Sequence, residues 1–258
     1  MSKFILDFEK PLREIESKID SLKKTSFDTG IDVSNSIKEL DKKLLDMTID
    51  IYSNLSRWQK VQIARHPLRP YSSDYINLIA DEWFELKGDR KFAEDPAILS
   101  GICRIDNFSV MIIAQEKGRG TKKKLKHNFG MPRPEGYRKS LRLMKLAEKF
   151  NIPILTLIDT PGAYPGIGAE ERGQAQAIAD NLFEMSMLKV PIISIVIGEG
   201  ASGGALAIGL CDKLICMENT WFSVISPEGC ASILFRDPQK AEVAADSMQV
   251  TCEDLFRM

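Results

Sequence analysis

Two glycine-rich segments, each directly after a strongly apolar run, carry the main candidate chemistry of this 258-residue sequence. The first bend, DTPGAYPGIG, spans residues 159–168, and the second bend, GEGASGGA, spans residues 198–205. Small residues let a ligand approach the main chain closely, and a helix N-terminus presents amide N–H groups that have no partner. Two such bends at the ends of neighbouring strands can direct peptide amides at oxygens that become negative during a reaction. The residues alone leave two interpretations open: a backbone oxyanion site, or bends that serve only tight turns and helix packing.

The second bend also matches the fingerprint of a dinucleotide-binding fold. Residues 198–203 read GEGASG, and the acidic residue Glu218 follows twenty residues after Gly198. The fingerprint requires a long helix and a second half of the fold. Here the helical stretch is short and the chain ends soon afterwards, which argues against a dinucleotide site.

Residues 200–204 of the same bend match the Gly-x-Ser-x-Gly elbow of serine hydrolases, with Ser202 as the nucleophile. Such a serine needs a base, and the only histidines are His66 and His127. Neither follows Ser202 in the chain, as the hydrolase order requires, and neither has a plausible orienting acid beside it in sequence. A Ser202 hydrolase is therefore the weaker alternative.

Residues 116–145 form a strongly basic segment, with eleven Lys and Arg against two acids and a net charge of +9. It can be a solvated loop and helix face, or it can bind an anion such as the phosphates of a nucleotide-bearing substrate, with Lys122 and Lys124 as candidates. Over the whole chain, 35 basic residues balance 36 acidic ones. That balance does not favour nucleic acid or a membrane surface as a partner.

The composition also bears on location and metals. No apolar run approaches the roughly 18 residues that span a bilayer, and the first residues are charged too early for a signal peptide. The five cysteines are scattered, and none forms a Cys-x-x-Cys pair. This usage is typical of reduced thiols in a cytosolic protein. We therefore expect a cytoplasmic protein that has no metal site of its own.

Residues 1–60 predict a helical hairpin that differs from the rest of the chain. Apolar residues recur at helical spacing over 12–22 and again over 37–58, with a turn at 25–30 and Ser34 as the cap of the second helix. The two apolar stripes can pack on each other, on the remainder of the chain or on a partner.

From about residue 98 the pattern becomes that of an α/β domain. Residues 98–105 and 108–114 flank Asp106 and Asn107, which predicts a β-hairpin. The runs 152–158 and 190–197 are almost continuously apolar, which is typical of parallel strands covered on both faces. Short strands are expected at 214–217 and 221–225. Strands alternating with helices indicate the α/β class.

Several longer motifs, in the same order, resemble the alpha subunit family of bacterial acetyl-CoA carboxylase carboxyltransferases. The motifs are DTPGAYPG (159–166), GAEERGQ (168–174), GEGASGGALAIG (198–209), SPEGCASIL (226–234), ARHP (64–67), KGDR (87–90) and NFGMP (128–132). The resemblance implies a crotonase/ClpP-like spiral of ββα turns in place of a doubly wound sheet. It implies an N-terminal helical hairpin over 1–60 and a carboxyltransferase domain over 61–258, apparently short at its C-terminus.

The resemblance also implies an activity and partners. Family members transfer the carboxyl group from carboxybiotin, held on the biotin carboxyl carrier protein, to acetyl-CoA, which gives malonyl-CoA for fatty acid biosynthesis. The alpha subunit acts only with a related beta subunit, usually as an α2β2 assembly, and the active site lies between the two. We expect no cofactor on this chain and zinc only on the beta subunit.

In the family, carboxybiotin can release CO2, and its ureido anion then removes the proton from acetyl-CoA, so the protein has two oxyanions to stabilise. We expect backbone donors at Gly162, Ala163, Gly203 and Gly204. Substrate contacts are expected at Tyr164, Gly166, Gly200, Ser202, Lys122 and Lys124. The main alternative is a non-catalytic crotonase-fold subunit whose basic segment binds CoA or a partner.

Overall fold

One seven-stranded sheet organises the fold in a computed structural model that describes residues 4–258. The strands are β1 (Glu82–Glu85), β2 (Ile98–Ile105), β3 (Phe108–Gln115), β4 (Ile154–Thr160), β5 (Ile192–Ala201), β6 (Lys213–Cys216) and β7 (Trp221–Ser223). They lie in the order β1-β2-β3-β4-β5-β6, and β7 pairs with the second half of β5. The predicted α/β class is confirmed.

Helices lie before, between and after the strands. Before the sheet come α1 (Lys10–Thr29), α2 (Ser34–Ser53), α3 (Arg57–Ala64) and α4 (Ser72–Ile79). Between β3 and β6 lie α5 (Gly120–Lys126), α6 (Pro134–Lys149), α7 (Ile167–Glu171), α8 (Gln174–Met185) and α9 (Ser202–Gly209). After β7 come α10 (Pro227–Phe235), α11 (Ala241–Met248) and α12 (Cys252–Leu255). Among the described residues, no helix combines the length and apolar content that crossing a bilayer requires.

The centre of the sheet follows the sequence pattern. β2 and β3 pair in antiparallel around Asp106 and Asn107, and Asp106 adopts φ 50° in this tight turn. β3, β4 and β5 then pair in parallel. Ile112 and Ile113 are adjacent in β3, yet they belong to two different hydrophobic cores on opposite faces, and both are fully buried. A strand buried on both faces needs apolar residues at successive positions, which explains the continuous apolar runs.

α1 and α2 follow each other in the chain and contact each other, but three local predictions for this region were wrong. α1 continues through Thr29 to Gly30, whose φ of 72° ends the helix, so the turn lies at 30–33. Ser34 is the first residue of α2 and not its cap; its amide and hydroxyl donate to Asp32 at 2.9 and 2.5 Å. The second stripe is interrupted because Ser56 caps a new helix, α3, which contains Trp58.

α3 also anchors the last described helix. Arg57 binds the Asp254 carboxylate of α12 through two nitrogens, each at 2.8 Å, and Asp254 accepts a further bond from the Thr251 hydroxyl at 2.6 Å. The bonds from Arg57 hold the pKa of Asp254 well below its ordinary range. Arg57 also binds Asp246, whose side chain is 73% exposed, against 7% for Asp254.

This anchor predicts a pH dependence of stability. Because the folded pKa of Asp254 lies below its unfolded value, its contribution is complete above that unfolded value, about 4, and is lost as the pH falls below it. We expect Asp254→Asn to lower the free energy of unfolding by about 1–3 kcal/mol at pH 7 and by less at pH 3. Urea unfolding at the two pH values measures this. Asp246→Asn is the exposed control and is expected to change little; equal losses from the two variants would contradict the prediction.

Candidate active site

The two glycine-rich bends meet at one edge of the sheet. β4 leads into the first bend and β5 runs into the second, and these strands are parallel neighbours with Thr160 opposite Gly200. A Cβ at Gly204 would lie 2.5 Å from the carbonyl carbon of Gly162 and closer still to the amide of Ala163. Real Cβ atoms essentially never come within 3.0 Å of such atoms, so only glycine allows the two backbones to touch here.

Most of the predicted backbone donors are free in this arrangement. α9 begins where β5 ends, and the first amides of a helix have no intrahelical acceptor. Within residues 4–258, the amides of Ala163, Gly203 and Gly204 donate no hydrogen bond to the main chain or to a side chain. The amide of Gly162 differs, since it donates to the Thr160 hydroxyl at 3.0 Å. Gly162 therefore shapes the bend, at φ 140°, while three of the four amides remain available.

A buried network of charges lies directly behind the bends. Lys117, two residues after the end of β3, has its ammonium 2.6 Å from Asp159 Oδ1 and 2.6 Å from Glu199 Oε2. Arg65 holds the other oxygen of Glu199 at 2.6 Å and also binds Glu228 of α10. The carboxylate of Asp159 additionally accepts the Glu199 amide at 3.0 Å, so it joins the first bend to the second.

Burial and the neighbouring charges shift the pKa values of the three groups in different directions. Burial would lower the pKa of Lys117, but the two carboxylates raise it above its ordinary value, so Lys117 stays charged. Burial raises the pKa of Asp159 despite Lys117. Burial would also raise the pKa of Glu199, but Lys117 and Arg65 lower it below the ordinary value. Lys117 and Arg65 therefore both favour the charged form of Glu199, which lies within the second bend.

Of the predicted substrate contacts in the bends, some pack against neighbouring side chains and one is exposed. Tyr164 stacks beneath Arg133, with the guanidinium 4.8 Å from the ring centre, and Gly166 packs against the Tyr164 ring. The ring of Phe222 occupies the space that a Cβ at Gly200 would need, so packing alone explains a glycine at this position. Ser202 is exposed and adopts φ 60°, and within residues 4–258 its hydroxyl has no hydrogen-bond partner.

Among the described residues, five of the eleven cations in the basic segment form ion pairs, mostly with acids outside the segment. Its members with an ion-pair partner are Lys117 (Asp159 and Glu199), Arg119 (Asp74), Arg138 (Asp89 and Glu135), Lys139 (Glu94) and Lys145 (Glu184). Lys122 and Lys124 lie on α5 and form no ion pair with any described acid. The +9 charge therefore does not form one open anion site, and among the described residues no hydrogen bond or ion pair joins Lys122 or Lys124 to the bends.

Sequence reasoning missed the side chains of Gln115, Lys117, Asp159, Glu199 and Arg65 as parts of this site. Asp159 and Glu199 did carry a signal, because each is an acid near the end of a strand that is mostly apolar. A carboxylate there must find a buried partner. Arg65 lies in the quoted ARHP motif, but its partners are more than a hundred residues away in sequence.

Comparison with known proteins identifies the family. A family model described as acetyl co-enzyme A carboxylase carboxyltransferase-like matches residues 5–258. The chain belongs to this family. A relative from Methylococcus capsulatus, named acetyl-coenzyme A carboxylase carboxyl transferase subunit alpha, is 57% identical over 98% of this chain and 79% of its own length. A relative of the same name from Vesicomyosocius okutanii is 60% identical over 95% of this chain and 78% of its own length.

Solved structures of carboxyltransferases share the fold. The transcarboxylase 12S core superposes with a TM-score of 0.61 at 21% identity, over 71% of this chain and 36% of that one. The beta subunit of geranyl-CoA carboxylase from P. aeruginosa gives 0.58 at 21% identity, over 77% of this chain and 39% of that one. The crotonase-like fold and the carboxyltransferase family that the motifs predicted are therefore confirmed.

Proposed function

We propose that this chain is the alpha subunit of an acetyl-CoA carboxylase carboxyltransferase. It would move the carboxyl group of carboxybiotin, presented by the biotin carboxyl carrier protein, to acetyl-CoA, and so supply malonyl-CoA for fatty acid biosynthesis. The observation that carries this proposal is the contact between the two bends, which leaves three amides free at one edge of the sheet. Family membership is the second support.

The chemistry required of this chain is the stabilisation of negative charge. The amides of Ala163, Gly203 and Gly204 donate hydrogen bonds to an oxygen that gains charge in the transition state, either the ureido oxygen of biotin or the thioester oxygen. One such donor is typically worth about 3 kcal/mol of barrier stabilisation. This chain need not supply a general base, because the ureido anion of biotin removes the proton from acetyl-CoA. The small residues of the bends let either oxygen reach the backbone.

The proposed partner is a carboxyltransferase beta subunit, in an α2β2 assembly that completes the active site and carries the zinc. Exposed apolar side chains support an interface beside the charge network: Val224 is 83% exposed, and Ile233 and Leu234 of α10 are 70% and 66% exposed. The same helix carries Glu228, which binds Arg65. We also propose a cytoplasmic location, which the five free, scattered cysteines support.

Co-expression with a beta subunit tests the proposal. The purified complex, given acetyl-CoA and carboxybiotinylated carrier protein, is expected to form malonyl-CoA, measured by mass spectrometry. The chain alone is expected to form none. A well-folded complex that forms no malonyl-CoA from these substrates would contradict the proposal.

The hydrolase alternative has a direct test at Ser202. No base contacts its hydroxyl among the described residues, so a fluorophosphonate probe is expected to leave Ser202 unlabelled. Mass spectrometry of the tryptic peptides measures this. Stoichiometric labelling that Ser202→Ala abolishes would revive the hydrolase. A non-catalytic binding subunit would instead form a salt-sensitive complex that survives changes in the glycine bends.

A further inference from the structure

Gln115, the last residue of β3, occupies the space between the two bends. Its side chain is fully buried. Its Nε2 donates to the carbonyl oxygen of Gly204 at 2.8 Å, and its Oε1 accepts the amide of Asp159 at 3.1 Å. One side chain is therefore hydrogen-bonded to the first residue of the first bend and to Gly204, near the end of the second bend.

The strands do not fix this spacing by themselves. β3 and β4 pair only as far as Ala114 and Leu157. The register between β4 and β5 shifts between Ile158 and Thr160, which leaves Asp159 at an irregularity. The Asp159 amide consequently bonds to the Gln115 side chain in place of a neighbouring strand. A buried amide without that partner would be costly.

We propose that Gln115 is a positioning residue that, together with the bond between Asp159 and the Glu199 amide, sets the separation and orientation of the two bends, and so the aim of the amides of Ala163, Gly203 and Gly204. The inference rests on the proposed function. A primary amide suits this position because it offers one donor and one acceptor at the same end and does not titrate. Misplacement of reacting groups by about 1 Å can cost a hundredfold in rate, so a side chain that holds the bends affects catalysis without touching substrate.

The first test is Gln115→Glu in the complex with the beta subunit, assayed with acetyl-CoA and carboxybiotinylated carrier protein. A protonated glutamic acid keeps one donor and one acceptor, whereas the ionised form loses the donor and repels the Gly204 carbonyl. The groups around the new carboxyl are Asp159, Glu199, Lys117 and Tyr137, whose hydroxyl also donates to the Gly204 carbonyl. Burial and the two carboxyls are expected to raise the pKa of the new group by more than Lys117 lowers it, because Lys117 is already bound by both of them. At pH 8 we expect kcat to fall at least about tenfold with the KM for acetyl-CoA within about twofold. The ratio of variant to wild-type kcat is expected to recover toward pH 6.

Asn181 provides a matched control. It is also fully buried, and its Nδ2 donates to the carbonyl of Ala207 at 3.0 Å, on the same helix α9 but further from the bends. Asn181→Asp is expected to lower the melting temperature, with a kcat ratio that stays near one at both pH values. A merely structural role for Gln115 would make the two variants behave alike.

Gln115→Met keeps the length of the side chain without its hydrogen-bonding atoms. This variant replaces Gln115→Glu in the test if Gln115→Glu does not fold. It is expected to lose kcat by a similar factor at both pH values. Wild-type kcat in Gln115→Met, or a kcat ratio in Gln115→Glu that does not change with pH, would overturn the inference and leave the proposed function intact. An inactive wild-type complex would instead contradict the proposed function, and this role for Gln115 with it.

Discussion

Gly204→Ala is expected to lower the kcat for malonyl-CoA formation by at least about a hundredfold, the scale of removing an oxyanion donor. The new Cβ would lie 2.5 Å from the Gly162 carbonyl carbon and would overlap the Ala163 amide. Both neighbours are backbone atoms, so no flexible side chain can move to relieve the overlap. The bends must separate, and the three amides can then no longer converge on one oxygen. Steady-state kinetics of the complex with the beta subunit measure this.

The adjacent glycine gives the control. A Cβ at Gly203 would lie 3.6 Å from Ile178 Cγ2, an ordinary van der Waals contact. Gly203→Ala is therefore expected to lose at least about tenfold less kcat than Gly204→Ala, because its methyl group contacts Ile178 and leaves the amide and the contact between the bends in place. Thermal unfolding of both variants separates a local displacement from a loss of folded protein. Equal activity of folded Gly204→Ala and Gly203→Ala would show that contact between the bends does not matter.

Lys117→Met is expected to lower the free energy of unfolding by about 3–5 kcal/mol, the usual cost of leaving buried charges without their partner. Lys117 is the shared cation of Asp159 and Glu199, whose side chains are only 2% and 6% exposed. Methionine fills a similar volume without charge. Urea unfolding at pH 7.5 measures the loss. Lys122→Met, on the exposed helix α5, is the control, with an expected change of no more than about 0.5 kcal/mol.

The pH dependence of this variant has a definite sign. Without Lys117, the folded-state pKa of Asp159 is expected to rise further above its unfolded value, because no cation then opposes burial, whereas Glu199 keeps Arg65. Groups of this kind bind protons more tightly in the folded state, so stability rises as the pH falls. The deficit of Lys117→Met relative to wild type should therefore shrink between pH 8 and pH 5. A deficit that is constant over this range, or absent, would contradict the buried ion-pair network.

Local patterns in the sequence were sufficient to predict the strands that position the site. Strands covered on both faces require apolar residues at successive positions, and β4 and β5 have them, so their parallel pairing was predictable. Parallel neighbours end at the same edge, which brought the two bends together. The spiral order of the elements was predicted only from the resemblance of motifs to a known family, because hydrophobic periodicity does not specify how elements are connected.

The remaining features depend on contacts between residues distant in sequence. Lys117 was counted as one charge among eleven in a basic segment, whereas it is committed to Asp159 and Glu199, 42 and 82 residues further along the chain. The bond that occupies the Gly162 amide depends on the rotamer of Thr160. The end of α1 was missed because the turn-forming residues Ser26 and Asp28 also tolerate a last helical turn when a glycine follows at 30.

A structure of the complex with the beta subunit, with biotin and acetyl-CoA bound, tests the central claim most directly. The quantity to measure is the distance from the amide nitrogens of Ala163, Gly203 and Gly204 to the nearest substrate oxygen. We expect the ureido oxygen or the thioester oxygen to lie within about 3 Å of at least two of these nitrogens. Both oxygens held by side chains, with the three amides bonded elsewhere, would contradict the account.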